Sequence, residues 1–222
     1  LSEEQPVRAF STLTHAAKHN DYPKQDWETF LQSEARKTDK TKFSALIAER
    51  ICRYPRQELS SLINSLTIWT LKVSEKLSSD YPETFEKLIS ALIELFYSLD
   101  SSSSTRVLSS NRQPDWRTQA INSPVGDIAR ALLNDPRCNE FHPLWRTHLE
   151  RLLALRNEIY YYALFWFAHN LNYFFYMAPP WTKTNLLSVL KEDNEERQNA
   201  FWNGFLSSQT IPISDLYLYL KT

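Results

Sequence analysis

The chain has 222 residues, 42% of them hydrophobic and 14% aromatic, enough for a sizeable core in one large domain or two small ones. A net charge of −1 gives no attraction towards nucleic acid or an anionic membrane surface. Two glycines against eleven prolines sit poorly with the tight turns of a sheet protein and point to helices punctuated by proline.

Residues 2–20 read as a modestly amphipathic helix with Val7, Phe10, Leu13 and Ala17 on one stripe. A turn at Asp21-Tyr22-Pro23 follows, and Asp26 is placed to cap a short helix bearing Trp27, Phe30 and Leu31. The mixed-sign stretch 36–42 reads as a solvated loop. Phe43, Leu46, Ile47, Ile51 and Tyr54 then recur at helical spacing as one buried stripe. Pro55 ends that helix and opens the next, whose apolar face runs Leu59, Leu62, Ile63, Leu66, Trp69, Val73 and Leu77. Pro82 opens another, with Phe85, Leu88, Ile89, Leu92, Ile93 and Phe96. Short turns between such helices favour antiparallel neighbours.

Residues 100–113, DSSSSTRVLSSNRQ, offer little to a core and read as a serine-rich mobile loop open to proteases. The expected organisation is an N-terminal helical subdomain over 1–99, this loop, and a C-terminal helical subdomain over 114–222. In the latter, Ser123-Pro124 forms an N-cap and first-turn pair, with Asp127 near the positive end of the helix dipole and Ile128, Ala131 and Leu132 inward. Asn134-Asp135-Pro136 stops that helix. His142-Pro143 starts another, with Trp145, Leu149, Leu152 and Leu153 on one face. Thr182 is placed to cap a helix with Leu186, Leu187 and Leu190. An acidic loop over 192–196 leads into a helix with Phe201, Trp202, Phe205 and Leu206, and a last short helix holds Leu216, Leu218 and Leu220. No segment alternates with period two over strand length apart from YLYLK near the end, which has no partner strand. The fold class is all-α: an antiparallel helical array or irregular, HEAT-like α-solenoid of about ten helices.

Residues 158–181, EIYYYALFWFAHNLNYFFYMAPPW, form the most hydrophobic stretch. Its length suits a membrane span, but His169, Asn170 and Asn172 would lie inside the bilayer and no basic cluster flanks it. A central helix surrounded by its neighbours is the better reading, and no membrane partner is expected. Tyr161, Phe165, His169, Asn172 and Tyr176 fall on one polar-tipped stripe, which serves either as a hydrogen-bonded buttress or as the wall of a small ligand pocket.

Sites for chemistry are sparse. Two isolated glycines exclude the GxxxxGKS, GxGxxG and GxSxG loops. His15 and His19 share a helix face but lack the acid of HExxH, and His142 and His148 lie on different faces, so no metal is expected. Asp80, Glu83 and the acids at 192–196 sit near helix starts, where they favour the dipole. Arg50, Arg53 and Arg56, like Arg146, Arg151 and Arg156, are interleaved with acids or apolar positions and read as solvent-facing. Cys52 and Cys138, without ligand spacing, read as reduced thiols of a cytoplasmic protein. The polar start lacks a signal peptide's apolar core, and its Leu suggests a domain cut from a longer polypeptide.

Four strings occur in order: Asn122-Ser-Pro-Val-Gly-Asp-Ile-Ala-Arg-Ala-Leu-Leu133, Ala168-His-Asn-Leu-Asn-Tyr-Phe-Phe175, Pro180-Trp-Thr182 and Phe201-Trp-Asn-Gly-Phe-Leu206. Together they resemble the uncharacterised helical domain at the C-terminal end of large bacterial proteins whose N-terminal part is sirtuin-like. The resemblance covers residues 122–206. It implies a place in anti-phage defence, with the sirtuin-like part degrading NAD and the helical remainder sensing or assembling. The motif residues it carries over are His169, Asn172, Trp181, Trp202 and Gly204, without assigned roles, and no NAD-binding residue or other cofactor site comes with them. Gly204 suits a close helix crossing, since glycine inside a helix otherwise costs about 1 kcal/mol.

The expected function is a non-catalytic sensor, regulatory or assembly domain with a protein partner or self-association. One alternative is a helical enzyme or ligand-binding domain with a site around His169 and Tyr176. Another is a nucleic-acid-binding helical array, against which the charge balance stands.

Overall fold

The computed structural model describes residues 5–37, 39–98, 115–156 and 159–221. The serine-rich stretch 100–113 and Glu158 lie outside them. The described chain is all-α, with fourteen α-helices, two short 3-10 segments and no strand. It divides into two compact units, Leu1–Leu99 with Arg130–Pro136, and Asp100–Ala129 with Arg137–Thr222.

In the first unit the helices are α1 (Pro6–Lys18), α2 (Lys24–Glu34), α3 (Thr41–Ile51), α4 (Arg56–Ser61), α5 (Ile63–Asp80) and α6 (Pro82–Ser98). Only Tyr81 separates α5 from α6, so these two long helices pack along one another as a hairpin. α2 and α3 lie against α5, and α3 also reaches α6. The helical stripes explain this packing: Phe85, Leu88, Ile89, Leu92, Ile93 and Phe96 of α6 are all buried, as are Leu66, Trp69, Val73 and Leu77 of α5. At the other end Phe10 stacks on Phe30 at 5.8 Å, and Trp27 meets Tyr54 edge-on at 5.5 Å. Burial pushes the Tyr54 hydroxyl up to about 12.

The second unit holds α7 (Trp116–Ile121), most of α8 (Pro124–Leu133), α9 (Pro143–Leu153), α10 (Tyr160–His169), α11 (Leu171–Met177), α12 (Pro179–Asn185), α13 (Glu195–Ser207) and α14 (Ser214–Leu220). Ser123 caps α8 by accepting the Gly126 amide at 2.9 Å, and the His142 ring caps α9. α10 is apolar all round because it packs against α7, α9 and α13. Among the described residues no helix is long and apolar enough to cross a membrane.

Several local expectations are corrected. The helix count exceeds about ten in part because two long stripes are broken, one at Leu62 between α4 and α5 and one at Asn170 between α10 and α11, and because Trp116–Ile121 forms a helix of its own. Asn170 leaves helical geometry at the end of α10, and its amide Nδ2 donates to the Trp166 carbonyl at 2.9 Å. Thr182 does not cap a helix. It lies inside α12, which starts on Pro179-Pro180, and its hydroxyl donates to the Ala178 carbonyl. Asp26 sits in the first turn of α2, after the Pro23 cap position. Leu46, expected on a buried stripe, is exposed, as is Val7 of the α1 stripe.

Turns are made without glycine. Asn20, Phe141 and Gln209 take the left-handed backbone region, and neither glycine does. At Phe141 the conformational cost, about 1–2 kcal/mol, is offset by ring packing against Trp145 at 5.5 Å and Trp181 at 5.4 Å.

Candidate functional site

Two of the motif residues, His169 and Gly204, lie where α10 and α13 meet. A Cβ added to Gly204 would stand 2.2 Å from the Phe165 carbonyl oxygen, so the two backbones touch where no side chain intervenes. Tyr161, at the start of α10, reaches the α13 cap residue Asn194 at 3.4 Å, while the helix ends meet at His169 and Ser207. The two helices therefore run side by side in the same direction. Sequence neighbours cannot do this through a short turn; here α11, α12 and the 3-10 segment Leu187–Lys191 make the return.

One turn beyond the crossing, His169 Nδ1 lies 2.9 Å from Ser207 Oγ. The Ser207 hydroxyl donates to the Gly204 carbonyl at 2.7 Å, so its proton is already committed. The imidazole therefore donates through Nδ1, and the serine accepts. A nucleophilic serine needs the opposite arrangement, with its proton given to the ring and a carboxylate orienting that ring. Burial holds His169 below the usual imidazole range; the nearby Arg117 charge lowers it further, against a hydrogen bond with the Gly204 backbone. Trp166 packs edge-on to the ring at 5.6 Å and donates its indole N–H to the Ala120 carbonyl at 3.2 Å.

Asn172, on α11, holds the extended strap that joins α13 to α14. Its Nδ2 donates to the Ile211 carbonyl at 2.9 Å and to Thr210 Oγ1 at 3.2 Å, and its Oδ1 accepts the Ile213 amide at 3.2 Å. One side-chain amide thus pairs with two backbone groups two residues apart, as a neighbouring strand would. Beside it Phe175 meets Tyr219 of α14 at 5.8 Å, and Lys183 Nζ sits 4.3 Å over the Tyr219 ring.

Trp181 is placed elsewhere. Its Nε1 donates to Glu150 Oε1 at 2.9 Å, and its ring packs against Phe141 and Phe174, both at 5.4 Å. It does not join His169 and Asn172. Trp202 is half-buried on α13 between Phe201 at 5.5 Å and Phe205 at 6.0 Å. Tyr176 is 77% exposed, whereas His169 is half-buried. No local pattern points to Ser207, Glu150 or the Tyr173 hydroxyl's bond to the Cys138 carbonyl, since each partner lies 31–38 residues away.

Two concave surfaces lie in the first unit. A shallow groove of about 970 Å³ is lined by Asp39, Lys42, Phe43, Leu46, Glu49 and Tyr81 among others. A smaller recess of about 290 Å³ is formed by Glu49, Cys52, Arg53, Thr84 and Lys87. Burial pushes the Cys52 thiol up to about 11, which makes it a poor nucleophile at neutral pH. The rings of His15 and His19 meet at 4.9 Å on the exposed side of α1. Among the described residues no three histidine, cysteine or acidic side chains are grouped to hold a metal ion.

No family model matches the chain, and no curated protein or solved structure matches it.

Proposed function

We propose that this chain is a non-catalytic helical domain serving as the sensor, regulatory or assembly part of a cytoplasmic bacterial anti-phage defence protein. Its sirtuin-like, NAD-degrading part would lie upstream. The link to defence rests on the four motif strings in residues 122–206 and on nothing else. The non-catalytic part rests on one observation: the polar motif residues His169, Asn172 and Trp181 each hydrogen-bond a distant segment of the same chain. Groups so engaged hold helices in register and leave little free for a substrate. Helical arrays also present broad surfaces suited to protein partners.

The test is an NAD-hydrolysis assay on this chain beside the intact polypeptide. Turnover is expected from the intact protein alone. Robust turnover by this chain would remove the proposal, and an intact protein with no sirtuin-like segment would remove the link to defence.

A further inference from the structure

His15 and His19 stand four residues apart at the C-terminal end of α1, on the solvent side opposite the buried Phe10 and Leu13. Both rings are exposed, and among the described residues neither has a hydrogen-bond partner. Their centres lie 4.9 Å apart. A transition-metal ion held by two imidazoles sits about 2.0–2.1 Å from each nitrogen. With about 90–110° between the two bonds, that places the ring centres about 4.5–5.2 Å apart, a range that contains the observed spacing. The rings are inclined at 64° to one another. Rotation of an imidazole about its Cβ–Cγ bond swings the nitrogens but leaves the ring centre in place, and exposed rings turn freely about that bond. One nitrogen from each ring can therefore converge on an ion without movement of the backbone.

The expectation of no metal rested on the absent glutamate of HExxH. That acid is the general base of a metalloprotease and not a ligand, so its absence removes hydrolysis but not binding. Imidazole suits copper, nickel and zinc, and copper binds most tightly of the three. Water completes the coordination. The negative end of the helix dipole lies at this turn and favours a bound cation. Lys18, one residue before His19, is exposed, so solvent and salt screen its opposing charge. We infer that His15 and His19 form a chelating site for a divalent transition-metal ion, Cu2+ ahead of Ni2+ and Zn2+. The bound ion clips the last turn of α1 together, just before the left-handed residue Asn20. The site lies in the first unit and is independent of the role proposed above.

Calorimetric titration of the untagged chain with copper(II) and nickel(II) chloride, at about pH 7.5 in a non-coordinating buffer, tests it. One ion per chain is expected, with a Cu2+ dissociation constant on the order of 10 µM. His15→Ala and His19→Ala should each weaken binding at least about tenfold, and the double variant little further, because either change alone leaves a single imidazole. Both positions are exposed, so circular dichroism should be unchanged. His142→Asn, which keeps a capping side chain on α9, should bind as the wild type does. Electron paramagnetic resonance of the Cu2+-loaded chain should show two coupled nitrogens, and one in either single variant. A wild-type chain that takes up no ion, or single variants that bind as tightly as it does, overturns the inference. So does a wild-type signal from one nitrogen alone.

Discussion

Gly204 of α13 lies directly on the Phe165 carbonyl of α10, with 2.2 Å between that oxygen and the place a Cβ would occupy. Two effects compete if Gly204 becomes alanine. Helix propensity favours alanine by about 1 kcal/mol. Overpacking opposes it by about 1–3 kcal/mol, towards the upper end here because a backbone carbonyl cannot swing aside as a side chain can. The clash wins. Gly204→Ala should lower the unfolding temperature by several degrees, and a calorimetric scan showing no change or a rise would refute the close crossing. Gly126→Ala should behave alike, since its Cβ would come 1.8 Å from the Ala120 oxygen.

Asn172 fixes the strap through three hydrogen bonds in a half-exposed setting, each with a net worth of about 1 kcal/mol. Asn172→Ala should loosen residues 210–213 and α14 without unfolding α10 or α13. Hydrogen exchange at the Ile213 amide reads this directly. Its protection should fall at least about fivefold, while amides inside α10 keep theirs. Asn172→Asp keeps the acceptor for Ile213 but loses both donors, so it should fall between the two. Equal protection in all three chains would mean that the strap is held by something else.

These two residues mark how far the sequence could be read. Helical stripes were legible wherever a face was covered along its length, as from Phe85 to Phe96, because period alone decides which side is apolar. They misled at Leu46, where an apolar residue of the right phase is left exposed. Asn170 was legible as polar but not as a helix end, since the aromatic run continues on both sides of it. A close crossing was foreseeable at Gly204, because little else justifies glycine inside a helix. Its partner was not. The same holds for His169 with Ser207 and Asn172 with Ile211, 38 and 39 residues apart, which no local pattern connects.

Trp181 contributes in two separable ways, through the ring against Phe141 and Phe174 and through the indole N–H to Glu150. Trp181→Phe keeps most of the packing and loses the bond to the carboxylate, so about 1–2 kcal/mol of stability should go. Trp181→Ala empties a buried position and should cost about 3–5 kcal/mol. Denaturant titration of both variants separates the terms. If phenylalanine costs as much as alanine, the indole bond dominates and the packing account is wrong.

The His169 ring gives a pH dependence whose sign follows from its surroundings. Burial is the main cause that lowers its affinity for a proton in the folded chain, with the Arg117 charge adding to it. The unfolded chain, with its imidazole near 6.5, therefore binds the proton more readily. Stability from this group is complete above the unfolded value and is lost as pH falls through it, the loss ending below the depressed folded value. Protonation also disturbs the local bonding, because a charged ring must be accommodated beside Arg117 and Trp166. His169→Gln can still donate to Ser207 but has no charge to gain. Its denaturation midpoint should thus change less than the wild type's between about pH 7.5 and pH 5. The two chains share every other ionisable group, so the difference between the two curves isolates His169. Parallel curves across that window would show that the ring carries no linked proton.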